Sequence, residues 1–353
     1  MSASGLGDEI EHCVEALRTA ATSGDEYAAI DAARAGLDAG VPLETMLLDV
    51  VAVAQTRVGL DWAANRLTVA QEHTATAVHE RVLAVLAHEP GARGHRTGPA
   101  RGRVSVACVD GEWHTFPARL LAEVLRLRGW QVDYLGAHVP TAHLVVHVHR
   151  TAPAAVALSG SIATRLPAAH AAISACQAAG APVLVGGAAF GPDGRYARLL
   201  GADAWAPDAR AAADLLDAGP PPRRAATGLS PGRPPHLAGP EYTALTDRAP
   251  ELVRGVMHEL DEHVPVTAGE EPTGHTAEDV AYVVDYLKAA AYVDDPGLFT
   301  SFVSWMAHVL TARGVPARVL AVTLDALAAR LAGLPRTREL LAQARAGLPD
   351  GPR

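Results

Sequence analysis

Five short apolar runs, separated by stretches with helical periodicity, occupy the middle of this 353-residue chain and constrain its fold more than any other feature. The apolar runs are residues 104–109, 131–135, 154–158, 182–185 and 204–206. The helical stretches between them include residues 118–127, 142–149 and 167–178. Strands that alternate with helices at this spacing form parallel sheets with helices on both faces. We therefore predict an α/β domain with a five-stranded parallel sheet over residues 103–217.

Two stretches rich in proline and glycine divide the chain into three segments. The first covers residues 88–99, and the second, residues 218–240, is a stiff linker. Apolar residues at helical spacing over residues 5–88 predict a four-helix bundle. Residues 241–350 keep the helical period without a strand pattern and predict an all-α domain. Five parallel strands fit the flavodoxin-like order, in which ligands bind outside the carboxyl ends of the strands.

Composition and charge exclude several classes of protein. With 49% hydrophobic and 20% charged residues, the chain is expected to be globular. A net charge of −9 without a basic stripe argues against binding to nucleic acid. No apolar run approaches the ~20 residues that span a bilayer, and the N-terminus lacks a signal pattern. Cys13, Cys108 and Cys176 are far apart and are expected in buried elements. We expect a cytoplasmic protein.

Polar residues and glycines follow three of the predicted strands, so they share the carboxyl edge of the sheet. These residues are Glu112, His114, Ser159, Ser161, Gly186 and Gly187. A carboxylate two residues before a histidine can hold one ring nitrogen and leave the other free to ligate a metal. Hydroxyl groups can hydrogen-bond a ligand, and paired glycines let a flat ring approach the backbone.

These residues resemble the motifs of the cobalamin-binding domain family, which are Asp-x-His-x-x-Gly, Ser-x-Leu/Thr and Gly-Gly. The resemblance implies that His114 is the lower axial ligand of cobalt, supported by Glu112. It also implies that the displaced nucleotide tail of the cofactor runs past Ser159 and the two glycines. The chain departs from the family motif at Glu112, where aspartate is usual, at Pro117, where glycine is usual, and at Ser161.

The helical segment carries a second motif, Trp-x9-Glu-His, formed by Trp62, Glu72 and His73. It resembles the cap of the CarH-type light-sensing cobalamin proteins, in which these residue types pack against the adenosyl group of adenosylcobalamin. The histidine that adjoins the tryptophan in those photoreceptors is Ala63 here.

The order of bundle, cobalamin domain and helical domain resembles the photocobilins, which hold biliverdin beside cobalamin. The resemblance implies a non-covalent bilin site in the C-terminal domain, because no cysteine lies there. The candidate residues for that site are Arg254, His275, Tyr292 and Trp305. A haem held by histidine, or a helical dimerisation domain without a ligand, are the alternatives for this domain.

Together these resemblances predict a light sensor that is not an enzyme, with adenosylcobalamin and biliverdin as chromophores. Loss of the cobalt–carbon bond in light would change bundle packing and the state of a homo-oligomer, and signal to an output partner that the sequence does not identify. The alternative is a corrinoid carrier protein for methyl transfer. A radical mutase is disfavoured, because its barrel of about 250 residues does not fit in any segment.

Overall fold

The computed structural model describes residues 3–89, 101–222, 239–263, 277–316 and 318–348. The chain forms two compact units. The first unit contains Met1–Trp62 and Arg66–Gly228, and the second contains Leu229–Arg353 together with Ala63–Asn65. The helical segment and the α/β segment therefore pack into one unit.

The N-terminal half of the first unit is a bundle of helices. They are α1 (Ala3–Ser23), α2 (Glu26–Asp38), α3 (Leu43–Thr45), α4 (Ala52–Ala63) and α5 (Val69–Leu86). A π-helical turn, Met46–Val51, joins α3 to α4. The start of α5 is fixed by a capping box, in which Thr68 and Gln71 each bond the backbone of the other. Leu17, Met46 and Leu83 are fully buried and form the centre of the bundle.

The second half of the first unit contains a parallel sheet, and the prediction of five parallel strands is confirmed. The strands are β1 (Arg103–Cys108), β2 (Gln131–Gly136), β3 (Ala155–Ser159), β4 (Val183–Gly186) and β5 (Ala204–Ala206). Their spatial order is β2-β1-β3-β4-β5, the flavodoxin-like order. Central strands covered on both faces must be apolar throughout, and every residue of β3 is buried.

Helices cover this sheet. They are α6 (Thr115–Leu127), α7 (Thr141–Thr151), α8 (Leu166–Ala178), α9 (Arg195–Leu199) and α10 (Ala209–Asp217). Helix α6 begins three residues earlier than the sequence predicts, so Pro117 lies in its first turn. Proline is tolerated there because the first backbone N–H groups of a helix have no partner within the helix.

The second unit is helical throughout its described residues. Its helices are α11 (Pro240–His263), α12 (Ala277–Val293), α13 (Pro296–Ala312), α14 (Arg318–Arg330) and α15 (Pro335–Ala346). Asp295 caps α13 by accepting from the backbone N–H of Gly297 at 2.8 Å. Among the helices of the described residues, none has the length and hydropathy needed to cross a membrane.

Candidate cofactor-binding site

The strand register brings the predicted sheet-edge residues side by side. Cys108 pairs with Ser159, Ser159 with Gly186, and Gly186 with Ala206, which makes one row across the carboxyl edge. Gly187 follows with a φ of +99°, and a Cβ there would lie 2.3 Å from the carbonyl oxygen of Gly160. Only glycine fits such a position, because both the conformation and the close approach exclude a side chain.

Glu112 is the buried anchor of this edge, with 1% of its surface exposed. One carboxylate oxygen accepts from His114, from the backbone N–H at 3.0 Å and from Nδ1 at 2.6 Å. The other accepts from the backbone N–H groups of Ser161 at 2.7 Å and Ile162 at 3.1 Å. Burial raises the pKa of Glu112, but the hydrogen bonds from His114 and Ser161 outweigh it and bring the pKa to about 2. Glu112 is therefore a carboxylate that ties the loop after β1 to the loop after β3.

His114 is oriented by this carboxylate. The hydrogen bond from Nδ1 to Glu112 raises the pKa of His114, although burial opposes the shift. With Nδ1 engaged, Nε2 is the nitrogen left for a metal. The side chain is 53% exposed and lines a cavity, so a ligand can reach it.

A cavity of about 780 Å³ lies between the bundle and the α/β domain, within the first unit. The bundle contributes Leu48, Asp49, Ala52, Gln55, Thr56, Glu72, His73, Thr76, Ala77 and Glu80. The α/β domain contributes Trp113, His114, Thr115, Phe116, Pro117, Leu120, Ser161, Gly187, Pro207, Asp208, Ala209 and Arg210. This volume falls in the range of small-molecule and cofactor sites, roughly 300–1,000 Å³.

A chain of hydrogen-bonded side chains forms part of the bundle wall. His79 Nδ1 donates to Gln55 Oε1 at 2.6 Å, and Gln55 Nε2 donates to Thr76 Oγ1 at 2.8 Å. Thr76 donates to one oxygen of Glu72 at 2.9 Å, and the other oxygen accepts from His73 Nδ1 at 2.7 Å. Burial lowers the pKa of His79 to about 4, so its imidazole is neutral at pH 7. The wall thus presents an oriented carboxylate to the cavity.

A narrower cavity of about 90 Å³ runs between the sheet edge and α6. Ser159, Gly186 and Gly187 line it, and Gly187 and Pro117 line the large cavity as well. The two cavities therefore adjoin, and a ligand with a broad part and a thin tail fits the pair.

The structure brings most of the predicted cobalamin residues to these two cavities. Glu112 lines neither cavity but hydrogen-bonds His114, which lines the large one. Trp62 is also not among the described residues that line either cavity. It is half-buried near the end of α4, about 9 Å along the helix axis from Thr56, which does line the large cavity.

Among the described residues, none of those predicted for a bilin lines the cavity described in the second unit. His275 lies outside the described residues, and Arg254 is exposed on α11. The buried ring of Tyr292 packs on Tyr242 at 4.9 Å, and Trp305 contacts Phe302 at 6.2 Å. A cavity described in this unit has a volume of about 20 Å³ and is lined mainly by apolar side chains. That volume is too small for a tetrapyrrole.

Several residues of the site have no motif in the sequence. Gln55 and Thr76 belong to the hydrogen-bonded wall, and the only signal for Gln55 is a polar residue within an apolar run. Asp49 lies in the π-helical turn and pairs with Arg210 at 2.6 Å. Turns of this type are frequent at functional sites but have no clear sequence signature.

Two regions of the chain match models of cobalamin-binding domains. Residues 102–215 match the model of the B12 binding domain, and residues 13–87 match a second model with the same description. A search of the curated proteins finds no match.

Among solved structures, the Methanosarcina barkeri monomethylamine corrinoid protein is 21% identical with a TM-score of 0.50. The match covers 58% of this chain and 97% of that one, and it shows a shared fold. A cobalamin-binding protein from Desulfitobacterium hafniense is 18% identical with a TM-score of 0.34, over 58% of this chain and 97% of that one. The methanol:cobalamin methyltransferase complex of M. barkeri is 18% identical with a TM-score of 0.32, and the match covers 62% of this chain and 84% of that one.

The fold and the site define a helix-capped α/β domain that binds a cofactor at the carboxyl edge of its sheet. With both domain matches, the chain is a cobalamin-binding protein. The residues fit the group, because His114 offers one nitrogen to cobalt while Glu112 holds the other. The wide cavity and the narrow one beside it suit a macrocycle with a tail.

Proposed function

We propose that this protein is a corrinoid carrier in which His114 would ligate the cobalt of cobalamin and the bundle would form part of the wall around the cofactor. The observation that carries the proposal is the imidazole of His114, fixed by a buried carboxylate and open to the large cavity. Cobalamin supplies a cobalt–carbon bond at its upper face that can be broken and formed again. Glu112 keeps Nε2 of His114 available as a ligand, and Ser159 and Gly187 would hold the tail.

The axial role of His114 is tested by electron paramagnetic resonance of the cobalt(II) protein grown with nitrogen-15 histidine. We expect the axial nitrogen splitting to change from a triplet to a doublet, and the doublet to be lost in His114→Ala. His12→Ala, an exposed histidine on α1, is the control and should keep it. A triplet in the labelled wild-type protein would mean that the base of the cofactor stays on cobalt, which would overturn the assignment.

A role in group transfer is supported by the shared fold with the monomethylamine corrinoid protein, since nearly all of that chain is covered. A carrier of methyl groups gains nothing from a bulky upper ligand. It should bind methylcobalamin and adenosylcobalamin with affinities within about threefold. Its sedimentation should not change in light.

Light sensing with adenosylcobalamin is the second candidate, and the oriented carboxylate of Glu72 in the cavity wall favours it. A carboxylate accepts hydrogen bonds from hydroxyl groups, which an adenosyl ligand has and a methyl ligand lacks. In this case Glu72→Gln should weaken adenosylcobalamin binding about tenfold and spare methylcobalamin. Green light should then change the sedimentation coefficient. Glu11→Gln, at an exposed ion pair of the bundle, is the matched control.

A further inference from the structure

We infer that Trp113 contacts the corrin ring and that His138 positions its indole. The inference rests on the proposed binding of cobalamin and extends it to the residue between Glu112 and His114. Trp113 is 69% exposed, whereas large aromatic side chains are usually buried. It lines the large cavity together with His114. A flat conjugated ring held by His114 would therefore have the exposed indole of Trp113 beside it.

Hydrogen bonds fix the backbone on both sides of Trp113, so its indole stays exposed at the large cavity. The N–H of Glu112 donates to the carbonyl of Val109 at 2.9 Å, and the N–H of Thr115 donates to the carbonyl of Trp113 at 2.8 Å. The carboxylate of Glu112 is held by four hydrogen bonds. Trp113 is therefore anchored to the same rigid loop as the axial histidine.

His138, in the loop after β2, braces the indole from the other side. Its ring lies 3.9 Å from that of Trp113 with an interplanar angle of 90°, an edge-to-face contact. Its backbone has a φ of +50°, which is costly for a residue other than glycine. The N–H of His138 also donates to the carbonyl of Glu112 at 3.4 Å.

The imidazole Nε2 of His138 is buried and has no hydrogen-bond partner within the described residues. In an edge-to-face pair, a ring N–H can point at the π face of its neighbour. A strained backbone and a buried ring nitrogen are both expensive, and they persist where the surrounding structure needs that conformation. Here the conformation fixes the plane of Trp113 beside the axial ligand.

The test compares cobalamin with cobinamide, a corrinoid that lacks the nucleotide tail. If Trp113 contacts the ring, Trp113→Ala should weaken the binding of both corrinoids by the same factor, about 30-fold. Trp113→Phe keeps a smaller aromatic face, so it should weaken both by about fivefold. The contrasting variant is Ser159→Ala, which should weaken cobalamin alone because Ser159 lines only the narrow cavity.

His138→Ala should weaken both corrinoids by about fivefold, and His138→Phe, which restores an aromatic edge, should recover most of the affinity. Wild-type affinity of Trp113→Ala for cobinamide would overturn the inference, whether or not its binding of cobalamin changes. Binding of neither corrinoid by the wild-type protein would instead overturn the proposed function itself. Because Trp113 is exposed, its variants should keep the thermal stability of the apoprotein, which checks that they fold.

Discussion

At the scale of single residues, Glu112 decides the shape of the site. One buried carboxylate accepts four hydrogen bonds, two from His114 and two from the loop after β3. Glutamate replaces the aspartate of the family motif, and its extra methylene still allows both oxygens to be used. The substitution therefore keeps the function of the position, which is to hold the imidazole and join two loops.

This carboxylate predicts how the stability of the apoprotein depends on pH. Its pKa in the folded state is about 2, below the ordinary value of 4.5, so its stabilisation is complete above pH 4.5 and is lost as the pH falls towards 2. The shift corresponds to about 3 kcal/mol. Urea unfolding of the wild-type protein between pH 6 and 2 should show this loss.

In the matched variant Glu112→Gln this acid-dependent loss should be absent, because an amide does not titrate. The variant should also be less stable at pH 7, since its NH₂ group would face the backbone donors of Ser161 or His114. Parallel pH profiles for the two proteins would contradict the assigned charge state.

Among the secondary-structure elements, the turns that follow the strands restrict the choice of residue as strongly as the strands do. Gly187 follows β4, and its carbonyl accepts from the N–H of Phe190 in a turn that packs directly on Gly160. Gly187 also lines both cavities, so this turn lies where they adjoin. We expect this turn to tolerate no side chain.

Gly187→Ala separates the effect of a crowded turn from that of its backbone conformation. The substitution should destabilise the first unit by about 3 kcal/mol, because a strained φ and a contact of 2.3 Å with Gly160 add together. Gly201→Ala is the matched control, since Gly201 has a φ of +78° with open space around it. It should cost about 1 kcal/mol. If Gly187→Ala and Gly201→Ala lost equal stability in thermal or urea unfolding, the contact with Gly160 must relax in the first variant.

At the scale of the whole first unit, charged residues join the bundle to the α/β domain. Arg128, after α6, makes a bidentate pair with Glu44 of α3 at 2.6 and 3.0 Å. It also reaches Asp214 and Asp217 of α10. The hydrogen bond that Arg128 donates to Glu44 raises the pKa of Arg128 further, so this cation is permanent. Leu48 and Asp49, which follow Glu44 closely in the chain, line the large cavity, so this junction lies next to the cavity wall.

Removal of Arg128 should loosen the two halves of the first unit. Because its side chain is only 16% exposed, Arg128→Ala removes the bidentate partner of the partly buried Glu44, which keeps only a 3.4 Å contact with Arg210, and should cost about 2 kcal/mol. Cobalamin affinity should fall as well, since the bundle and the α/β domain both contribute to the wall of its cavity. Arg57→Ala breaks a bidentate pair with Glu11 on the surface of the bundle and should reduce stability much less, because exposed ion pairs contribute little. If Arg128→Ala and Arg57→Ala changed unfolding and cobalamin binding equally, the contact between the bundle and the α/β domain would have no special role.

The sheet, its carboxyl edge and the residues along that edge could all be predicted from the amino-acid sequence. Parallel strands joined by helices all end on one side, so local patterns are enough to place His114, Ser159 and Gly186 together. The Trp-x9-Glu-His motif of the bundle correctly pointed to Glu72, which lines the large cavity.

The way in which the bundle packs against that edge could not be predicted from the sequence. The large cavity, the π-helical turn and the hydrogen bonds through Gln55 arise from side chains distant in sequence. The spacing motif put Trp62 in the cap, yet the packing of α4 leaves it outside the cavity wall, and Trp113 lines the cavity instead. Hydrogen bonding and apolar period along a strand or helix are local, whereas the angle and offset between packed elements depend on the shapes of all the side chains at the contact.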